Sequence, residues 1–191
     1  MRRSDLARLV LDWTAWTRQP LVVGNGFIAR EVMAAGDGDH VMYLFAGMGL
    51  APSVAAGIAR ASSRPAVALE GDGNHLMGLS CTATIGLACV PLTHIVQWNG
   101  GWESTGGQRL VPPDAVYDVG AVFPYEWSAV VRDEADLVVA LGRAEMTAGA
   151  CLIHVVGEMG EPPAPRTDLD MPRNAKRLRQ WMSQSTMRSQ S

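Results

Sequence analysis

Short apolar runs alternate along the chain with segments whose apolar residues recur at helical spacing. Continuous apolar runs are typical of buried parallel strands, and here they predict strands over residues 21–23, 41–45, 66–69, 92–97, 127–131 and 151–156. Apolar residues three to four positions apart predict helices over residues 4–17, 27–35, 51–61, 75–88, 134–146 and 173–182. A further short helix is predicted at the cap formed by residues 112–114.

This alternation of strands and helices predicts an α/β fold with a mostly parallel sheet, right-handed crossovers and helices on both faces. The length of 191 residues suits one domain with a proper core, which we place at residues 1–171. Residues 172–191 are predicted to form a basic C-terminal helix with Ala175, Leu178 and Trp181 on one face, and a disordered end from residue 183.

Composition narrows the class of protein. Hydrophobic residues make up 48% of the chain, but no run of 18 apolar residues occurs, so we expect no membrane span. The charged start is not followed by an apolar signal core, and a cytoplasmic location is the default expectation. The cysteines Cys81, Cys89 and Cys151 have no CxxC spacing and indicate neither a disulfide framework nor a zinc site.

Charge is unevenly distributed. The net charge is −3, yet the residues after Met171 include no acidic side chain and five basic ones. These basic residues are Arg173, Lys176, Arg177, Arg179 and Arg188. A nucleic-acid-binding arm would have this sign of charge, but so short a tail on an acidic body is weak support for one. We therefore expect no nucleic-acid partner.

Two polar, glycine-rich loops follow neighbouring predicted strands. The first contains Glu70-Gly71-Asp72-Gly73-Asn74, and the second contains Asn99-Gly100-Gly101 followed by Trp102 to Gln108. One strand–helix–strand crossover separates them, so both loops should lie at the carboxyl edge of the sheet, where open α/β folds bind ligands. There, Asp72 and Asn99 can supply oxygen ligands to a divalent cation, and backbone N–H groups can bind a phosphate. Taken singly, each loop is equally typical of an ordinary turn.

The two loops together resemble the cofactor signature of the thiamine-diphosphate enzymes, which is Gly-Asp-Gly followed about thirty residues later by Asn. The similarity extends from about residue 20 to residue 172 and is most specific for the pyrophosphate-binding domain of phosphonopyruvate and sulfopyruvate decarboxylases. It includes Ala83-Thr84-Ile85-Gly86, Ser104-Thr105-Gly106-Gly107-Gln108 and Gly47-Met48-Gly49. The resemblance implies the three-layer fold of that family, with thiamine diphosphate and Mg²⁺ as cofactors.

The resemblance also implies which residues bind the cofactor. Asp72, Asn99 and the Gly101 carbonyl would hold the Mg²⁺ ion, and Gly73 and Asn74 would donate to the diphosphate. Met48 would act in catalysis, because its side chain would bend the cofactor so that its amine approaches the reactive carbon. The alternative role for Met48 is that of a flexible core filler. The full set of cofactor-binding residues is Asn25, Gly26, Ala46, Gly47, Met48, Gly49, Gly71, Asp72, Gly73, Asn74, Asn99, Gly101 and Trp102.

Substrate identity is less well defined by these motifs. The expected substrate pocket consists of Trp102, Glu103, Ser104 and Thr105. Gly101, Trp102 and Glu103 depart from the residues expected in the phosphonopyruvate group. Of the four histidines, His75 lies next to the cofactor loop without favouring a role, whereas His40, His94 and His154 favour structural roles.

The family's catalytic glutamate belongs to a separate pyrimidine-binding domain, and only about 20 residues precede the first matched strand here. We therefore expect a partner subunit to supply that domain and its glutamate, in a hetero-oligomer of α2β2 type or larger. The implied activity is decarboxylation of a small 2-oxo acid to an aldehyde and CO₂. The alternatives are a subunit of a carboligase of acyloin or acetolactate type and a non-catalytic binding module.

Overall fold

The computed structural model describes residues 1–110, 125–166 and 168–188. Its helices are α1 (Arg3–Trp16), α2 (Phe27–Ala35), α3 (Ala51–Ser62), α4 (Asp72–Met77), α5 (Leu79–Leu87), α6 (Glu134–Glu145) and α7 (Met171–Arg188). Its strands are β1 (Leu21–Val23), β2 (Val41–Tyr43), β3 (Ala66–Gly71), β4 (Leu92–Trp98), β5 (Gly101–Trp102), β6 (Gln108–Arg109), β7 (Trp127–Val131) and β8 (Ala150–Val156). The short helix expected at residues 112–114 lies outside the described residues.

Six strands form one parallel sheet in the order β2-β1-β3-β4-β8-β7. The register pairs Val23 with Leu69 and Leu69 with Ile95, so the carboxyl ends of the central strands lie at one edge. The loops that follow β1, β2, β3 and β4 therefore lie side by side at that edge.

Helices cover both faces of this sheet, because each strand is apolar on both sides. Alternate residues of a strand point to opposite faces, so Val23 packs in one core while Val22 packs in the other. Helices α1, α2 and α6 cover the first core, and α3 and α5 cover the second. The predicted three-layer α/β architecture is confirmed.

Two predicted elements differ from the structure. The helix predicted over residues 75–88 is broken into α4 and α5 at Gly78, where the chain touches the backbone of Gly49 so closely that a Cβ on either glycine would clash. The strand predicted over residues 41–45 ends at Tyr43, and Phe45 projects into solvent. The sequence also gave no sign of the short hairpin formed by β5 and β6.

The C-terminal helix begins before its predicted start and continues to Arg188, past the predicted end at Met182. The segment expected to be disordered therefore begins as helix, and residues 189–191 lie outside the described range. Leu178 packs into the chain's own core with an exposed fraction of 5%. None of the helices in the described parts of the chain is long and apolar enough to cross a membrane.

Helix α7 also closes one edge of the sheet. Strand β2 is an edge strand, so its outer backbone groups need partners other than another strand. The carboxamide of Asn174 supplies them: its Oδ1 accepts from the Tyr43 N–H at 3.0 Å, and its Nδ2 donates to the Val41 carbonyl at 3.3 Å. Arg177 adds a bidentate ion pair with Asp37 at 2.6 and 2.9 Å.

Replacing Asn174 tests this edge contact. We expect Asn174→Ala to lower the free energy of unfolding by about 1–3 kcal/mol, since the buried Tyr43 N–H then lacks an acceptor. Urea denaturation measures the change. Lys176→Ala, an exposed position on the same helix, should change the unfolding free energy by less than about 0.5 kcal/mol. Equal effects of the two substitutions would show that the edge contact contributes nothing.

Candidate functional site

A cleft with a cavity volume of about 180 Å³ opens at the carboxyl edge of the sheet. Most of the predicted site residues line it together with four others, Arg3, Phe27, Ile28 and Gln97. The predicted residues in its wall are Asn25, Gly26, Met48, Gly71, Asp72, Gly73, Asn74, Asn99, Gly101, Trp102, Glu103, Ser104 and Thr105. Ala46, Gly47 and Gly49 do not reach the cavity. The two polar loops thus meet at one sheet edge, as the sequence predicts.

The Asp72 carboxylate joins those two loops. Asp72 starts α4 and is only 3% exposed. Its Oδ1 accepts from the Gly73 N–H at 2.8 Å, and its Oδ2 accepts from the N–H groups of Asn99 and Gly100 at 3.0 and 2.7 Å. Burial raises the pKa of Asp72 above its ordinary value, although these backbone donors oppose the shift. No cationic side chain in the described part of the chain pairs with this carboxylate.

A chain of polar contacts fixes the Asn99 carboxamide. Its Oδ1 accepts from the Gly101 N–H at 3.0 Å, and its Nδ2 donates to Glu103 Oε2 at 2.6 Å. The same Glu103 oxygen accepts from Nη1 of Arg3 at 2.7 Å. Arg3 also faces Glu31 at 3.4 Å, and its side chain is 1% exposed. The first turn of the chain therefore sets the orientation of an amide a hundred residues further on.

The loop after β1 is tied to α4. Asn74 Nδ2 donates to the Asn25 carbonyl at 2.8 Å, and Gly26 adopts a positive φ of 102° where the chain turns into α2. The side-chain oxygen of Asn25 is buried and has no hydrogen-bond partner among the described residues. An unpaired acceptor in the cleft wall suits a ligand that brings its own donor.

The loop after β2 presents Met48 to the cleft. Ala46, Gly47 and Gly49 have φ values of 59°, 57° and 78°, which is the left-handed region. For the non-glycine Ala46 this conformation costs on the order of 1–2 kcal/mol, and strain of this kind concentrates at functional sites. Met48 is 43% exposed and lines the cleft, so it does not fill the core. Gly49 backs against Gly78 and thereby couples this loop to α4.

The residues predicted to form the substrate pocket lie across the cleft from the β1 loop. The Trp102 ring rests on Gly73, where a Cβ would come within 2.8 Å of the ring. A Cβ on Gly26 would likewise lie 3.8 Å from the Ser104 hydroxyl, which shows how close the two loops are. Gly73 is therefore needed for the close approach of an aromatic ring.

The oxygen ligands of this cleft fit a divalent cation, whereas its N–H donors fit a phosphate-bearing cofactor only in part. Asp72 is a buried carboxylate without a counter-ion, and about one of its four acceptor positions remains open, as does one on Asn99 Oδ1. Side-chain oxygens of this kind suit Mg²⁺. Of the two predicted diphosphate donors, however, the Gly73 N–H already donates to Asp72.

Sequence reasoning missed Arg3 and Gln97. Gln97 is buried, and its Nε2 has no partner in the described residues. A polar residue just before the second polar loop was the available signal for Gln97. No local pattern pointed to Arg3, because its role depends on contacts with Glu31 and Glu103 that only the folded chain brings together.

Three of the four histidines lie under the cleft rather than in it. His75, His94 and His154 are buried on the second core face beside Glu70. Burial lowers the pKa of His94, so its imidazole is neutral at pH 7. Burial would by itself raise the pKa of Glu70, but the two nearby imidazoles of His75 and His94 hold that pKa below its ordinary value. Glu70 is thus a buried carboxylate in its charged form.

Comparison with known proteins defines the class. Residues 27–155 match the family described as thiamine pyrophosphate enzyme, C-terminal TPP binding domain. This chain belongs to that family, and the match spans both polar loops and the segment from α2 to β8. The identification made from the Gly-Asp-Gly and Asn motifs is therefore confirmed.

Curated relatives carry decarboxylase names. The chain is 36% identical over 138 residues to phosphonopyruvate decarboxylase of Streptomyces viridochromogenes, which covers 71% of this chain and 34% of that protein. It is 31% identical over 151 residues to sulfopyruvate decarboxylase subunit beta of Methanothermobacter thermautotrophicus, which covers 78% of this chain and 80% of that subunit. The chain thus spans about a third of the phosphonopyruvate decarboxylase and most of the beta subunit.

Solved structures agree on the fold. The thiamine diphosphate-dependent 4-hydroxybenzoylformate decarboxylase of Rhodococcus jostii superposes with a TM-score of 0.63 at 18% identity, covering 82% of this chain and 33% of that one. The 2-oxoglutarate:ferredoxin oxidoreductase of Magnetococcus marinus gives a TM-score of 0.61 at 18% identity, covering 90% of this chain and 66% of that one. At this level of identity the likeness concerns the fold alone.

The buried Arg3 contacts can be tested by comparing adjacent arginines. We expect Arg3→Ala to lower the free energy of unfolding by about 3–5 kcal/mol, because it leaves Glu31 and Glu103 buried without their partner. Arg2→Ala removes an exposed contact with Glu161 at 3.6 Å and should cost less than about 1 kcal/mol. Chemical denaturation measures both, and similar losses for the two variants would contradict the buried network.

Proposed function

We propose that this chain is the pyrophosphate-binding subunit of a two-subunit, thiamine-diphosphate-dependent 2-oxo acid decarboxylase. The observation that carries the proposal is the junction of Asp72 with the Asn99 loop at the floor of the cleft, in a chain of the thiamine-pyrophosphate-binding family. A non-catalytic module would have no use for a buried carboxylate without a counter-ion, because its desolvation costs roughly several kcal/mol.

In this proposal the chain's own residues bind and orient the cofactor. Asp72 and Asn99 would hold Mg²⁺ through side-chain oxygens, with the Gly101 carbonyl as a third ligand. Glu103 and Arg3 keep the Asn99 amide from rotating, since Nδ2 is fixed by its bond to Glu103. When bound, thiamine diphosphate supplies the electron sink that accepts the electron pair left behind as CO₂ departs.

The walls of the cleft would set the geometry of the reaction. Met48, held by the left-handed loop around it, would contact the cofactor in the cleft and orient it. The unpaired Asn25 oxygen is an acceptor for a donor on the ligand. The Trp102 ring covers Gly73 at one side of the cleft. In that position it would exclude water from the reacting groups.

The names of the relatives support a proposal for the substrate class. The names of two similar proteins specify phosphonopyruvate and sulfopyruvate, which are small 2-oxo acids with a second anionic group. We propose a substrate of this kind, with Trp102, Glu103, Ser104 and Thr105 forming part of its pocket. A carboligase, the alternative within the same chemistry, would be revealed by a coupled product when a second carbonyl compound is added.

A partner subunit would complete the site. Similarity to a protein named subunit beta supports this organisation. Apolar side chains beside the cleft support it further, because Phe45 is 78% exposed and Leu50 45% exposed next to Met48. Exposed apolar groups around a binding site commonly mark an interface with another protein. We propose that a pyrimidine-binding subunit covers this rim and supplies the catalytic glutamate.

The metal assignment is tested with Asp72→Ala in the assembled complex. We expect this variant to lose Mg²⁺-dependent binding of thiamine diphosphate, because the carboxylate that holds the ion is gone, while far-UV circular dichroism stays unchanged. Isothermal titration calorimetry measures the affinity. Asp12→Ala, which removes an exposed carboxylate on α1, is the control and should bind as the wild type does. Unchanged affinity in Asp72→Ala would overturn the assignment.

The partner interface is tested with Phe45→Asp. We expect association with a purified pyrimidine-domain subunit to weaken by about 30-fold or more, as for a central apolar contact worth about 2 kcal/mol. Met146→Asp is the matched control, since Met146 is equally exposed but lies at the opposite edge of the sheet, before β8 begins. Analytical ultracentrifugation gives the dissociation constants. Turnover of sulfopyruvate or phosphonopyruvate by the chain alone would refute the two-subunit proposal.

A further inference from the structure

A second cluster of ligand-type side chains lies beneath the cleft, inside the core. The cluster is Glu70 from β3, His75 from α4 and His94 from β4. Their exposed fractions are 0%, 1% and 0%. The parallel register pairs Ala68 with His94 and Glu70 with Val96, so residues 68, 70, 94 and 96 point to the same face of the sheet. Helix α4 then brings His75 over that face.

The distances fit one small cation. Glu70 Oε1 lies 3.0 Å from His94 Nε2 and 3.7 Å from His75 Nδ1, and the three ligand atoms all lie within 4.8 Å of one another. Bonds of about 2.0–2.2 Å from zinc to nitrogen and oxygen, at tetrahedral angles, place neighbouring ligand atoms about 3.3–3.6 Å apart. The two contacts of Glu70 bracket that spacing, and the separation between the two histidine nitrogens lies within 4.8 Å. A shift of the side chains would bring all three atoms to tetrahedral distances.

Hydrogen bonding within the protein does not satisfy this cluster. A proton shared between Glu70 and His94 accounts for their contact, but it leaves both ring nitrogens of His75 and the second oxygen of Glu70 without a partner among the described residues. The cluster also holds a buried carboxylate, and no lysine or arginine in the described parts of the chain pairs with it. A divalent cation would supply the missing partner for these atoms.

The surroundings of His94 match those of a metal ligand. A histidine that binds a metal through one nitrogen is normally held by a hydrogen bond at the other. His94 Nδ1 lies 2.9 Å from the Tyr125 hydroxyl, while Nε2 faces Glu70. Burial raises the pKa of Tyr125 well above its ordinary value, so this phenol remains a neutral hydrogen-bonding group. The tautomer that presents Nε2 to an ion is therefore the one that Tyr125 can stabilise.

We propose that Glu70, His75 and His94 form a structural Zn²⁺ site that fixes α4 to strands β3 and β4. Two imidazoles and one carboxylate are a borderline donor set that suits zinc, whereas Mg²⁺ prefers oxygen ligands only. The fourth position belongs to a water molecule. Asp72 begins the same short helix that carries His75, so the zinc site holds the cleft residues Asp72 and Asn74 against the sheet. This proposal does not depend on the proposed enzyme function.

Co²⁺, which gives strong visible absorption in four-coordinate sites, is the probe. The site has no solvent access, so the full chain is first unfolded in urea with a chelator to empty it. After removal of the chelator, the chain is refolded with Co²⁺ added up to and beyond one equivalent. We expect the visible bands to saturate at one Co²⁺ per chain, to disappear on addition of Zn²⁺ and to persist in excess Mg²⁺. Zinc should also raise the midpoint of thermal unfolding, since it binds only the folded chain.

Variants assign the site. Glu70→Gln and His75→Ala should abolish the bands, and Tyr125→Phe should weaken Co²⁺ binding by about 10- to 100-fold, as expected for a residue that positions a ligand. Asp72→Asn should bind Co²⁺ as the wild type does, because it alters only the cleft, and it therefore separates this site from the proposed Mg²⁺ site.

Several outcomes would overturn the proposal. The proposal is overturned, whatever the variants show, if the wild-type chain binds neither Co²⁺ nor Zn²⁺ at one equivalent. A proton shared between Glu70 and His94 would then explain why these side chains lie together. Unchanged bands in Glu70→Gln, or their loss in Asp72→Asn, would place the ion elsewhere. If Glu70→Gln fails to fold, the wild-type titration and the Tyr125→Phe affinity still decide.

Discussion

The arrangement at the cleft depends on one buried carboxylate. Asp72 accepts backbone N–H groups from its own turn and from the loop after the next strand. Such charge-assisted bonds are roughly twice as strong as neutral ones, and they hold two loops in contact that the sheet only brings near each other. Because burial opposes the charged form of Asp72, a cation at the proposed Mg²⁺ site would stabilise that form. Local structure and ligand binding would then be coupled through a single side chain.

Around this carboxylate the structure places polar contacts in successive shells. Asn99 is oriented by Glu103, and Glu103 is held by Arg3 and by the Gly160 N–H at 2.6 Å. Each step buries a charged group beside an opposite charge or a donor, which avoids the cost of an unpaired polar atom. The position of one amide in the cleft consequently depends on the first turn of α1.

Glycines serve the site by allowing close approach. The Trp102 ring packs directly on Gly73, and the backbones of Gly49 and Gly78 touch, because none of these three glycines has a Cβ. The Met48 loop, α4 and the second polar loop therefore form one packed unit. The buried Glu70, His75 and His94 lie directly below that unit. Rigid support under a binding loop limits how far its ligands can drift, and precise ligand geometry requires such support.

Much of this protein could be predicted from its sequence. Continuous apolar runs located the six strands of the sheet, because strands buried on both faces are mostly apolar, and turn chemistry located the loops that carry Asp72 and Asn99. The sequence could not locate features that depend on contacts between distant residues. The break at Gly78 exists because Gly49 occupies the space beside it. Arg3 lies in the site because it pairs with Glu103. The strand register brings Glu70 next to His94, and the following helix adds His75. Local patterns encode which elements form, whereas long-range packing decides which side chains meet.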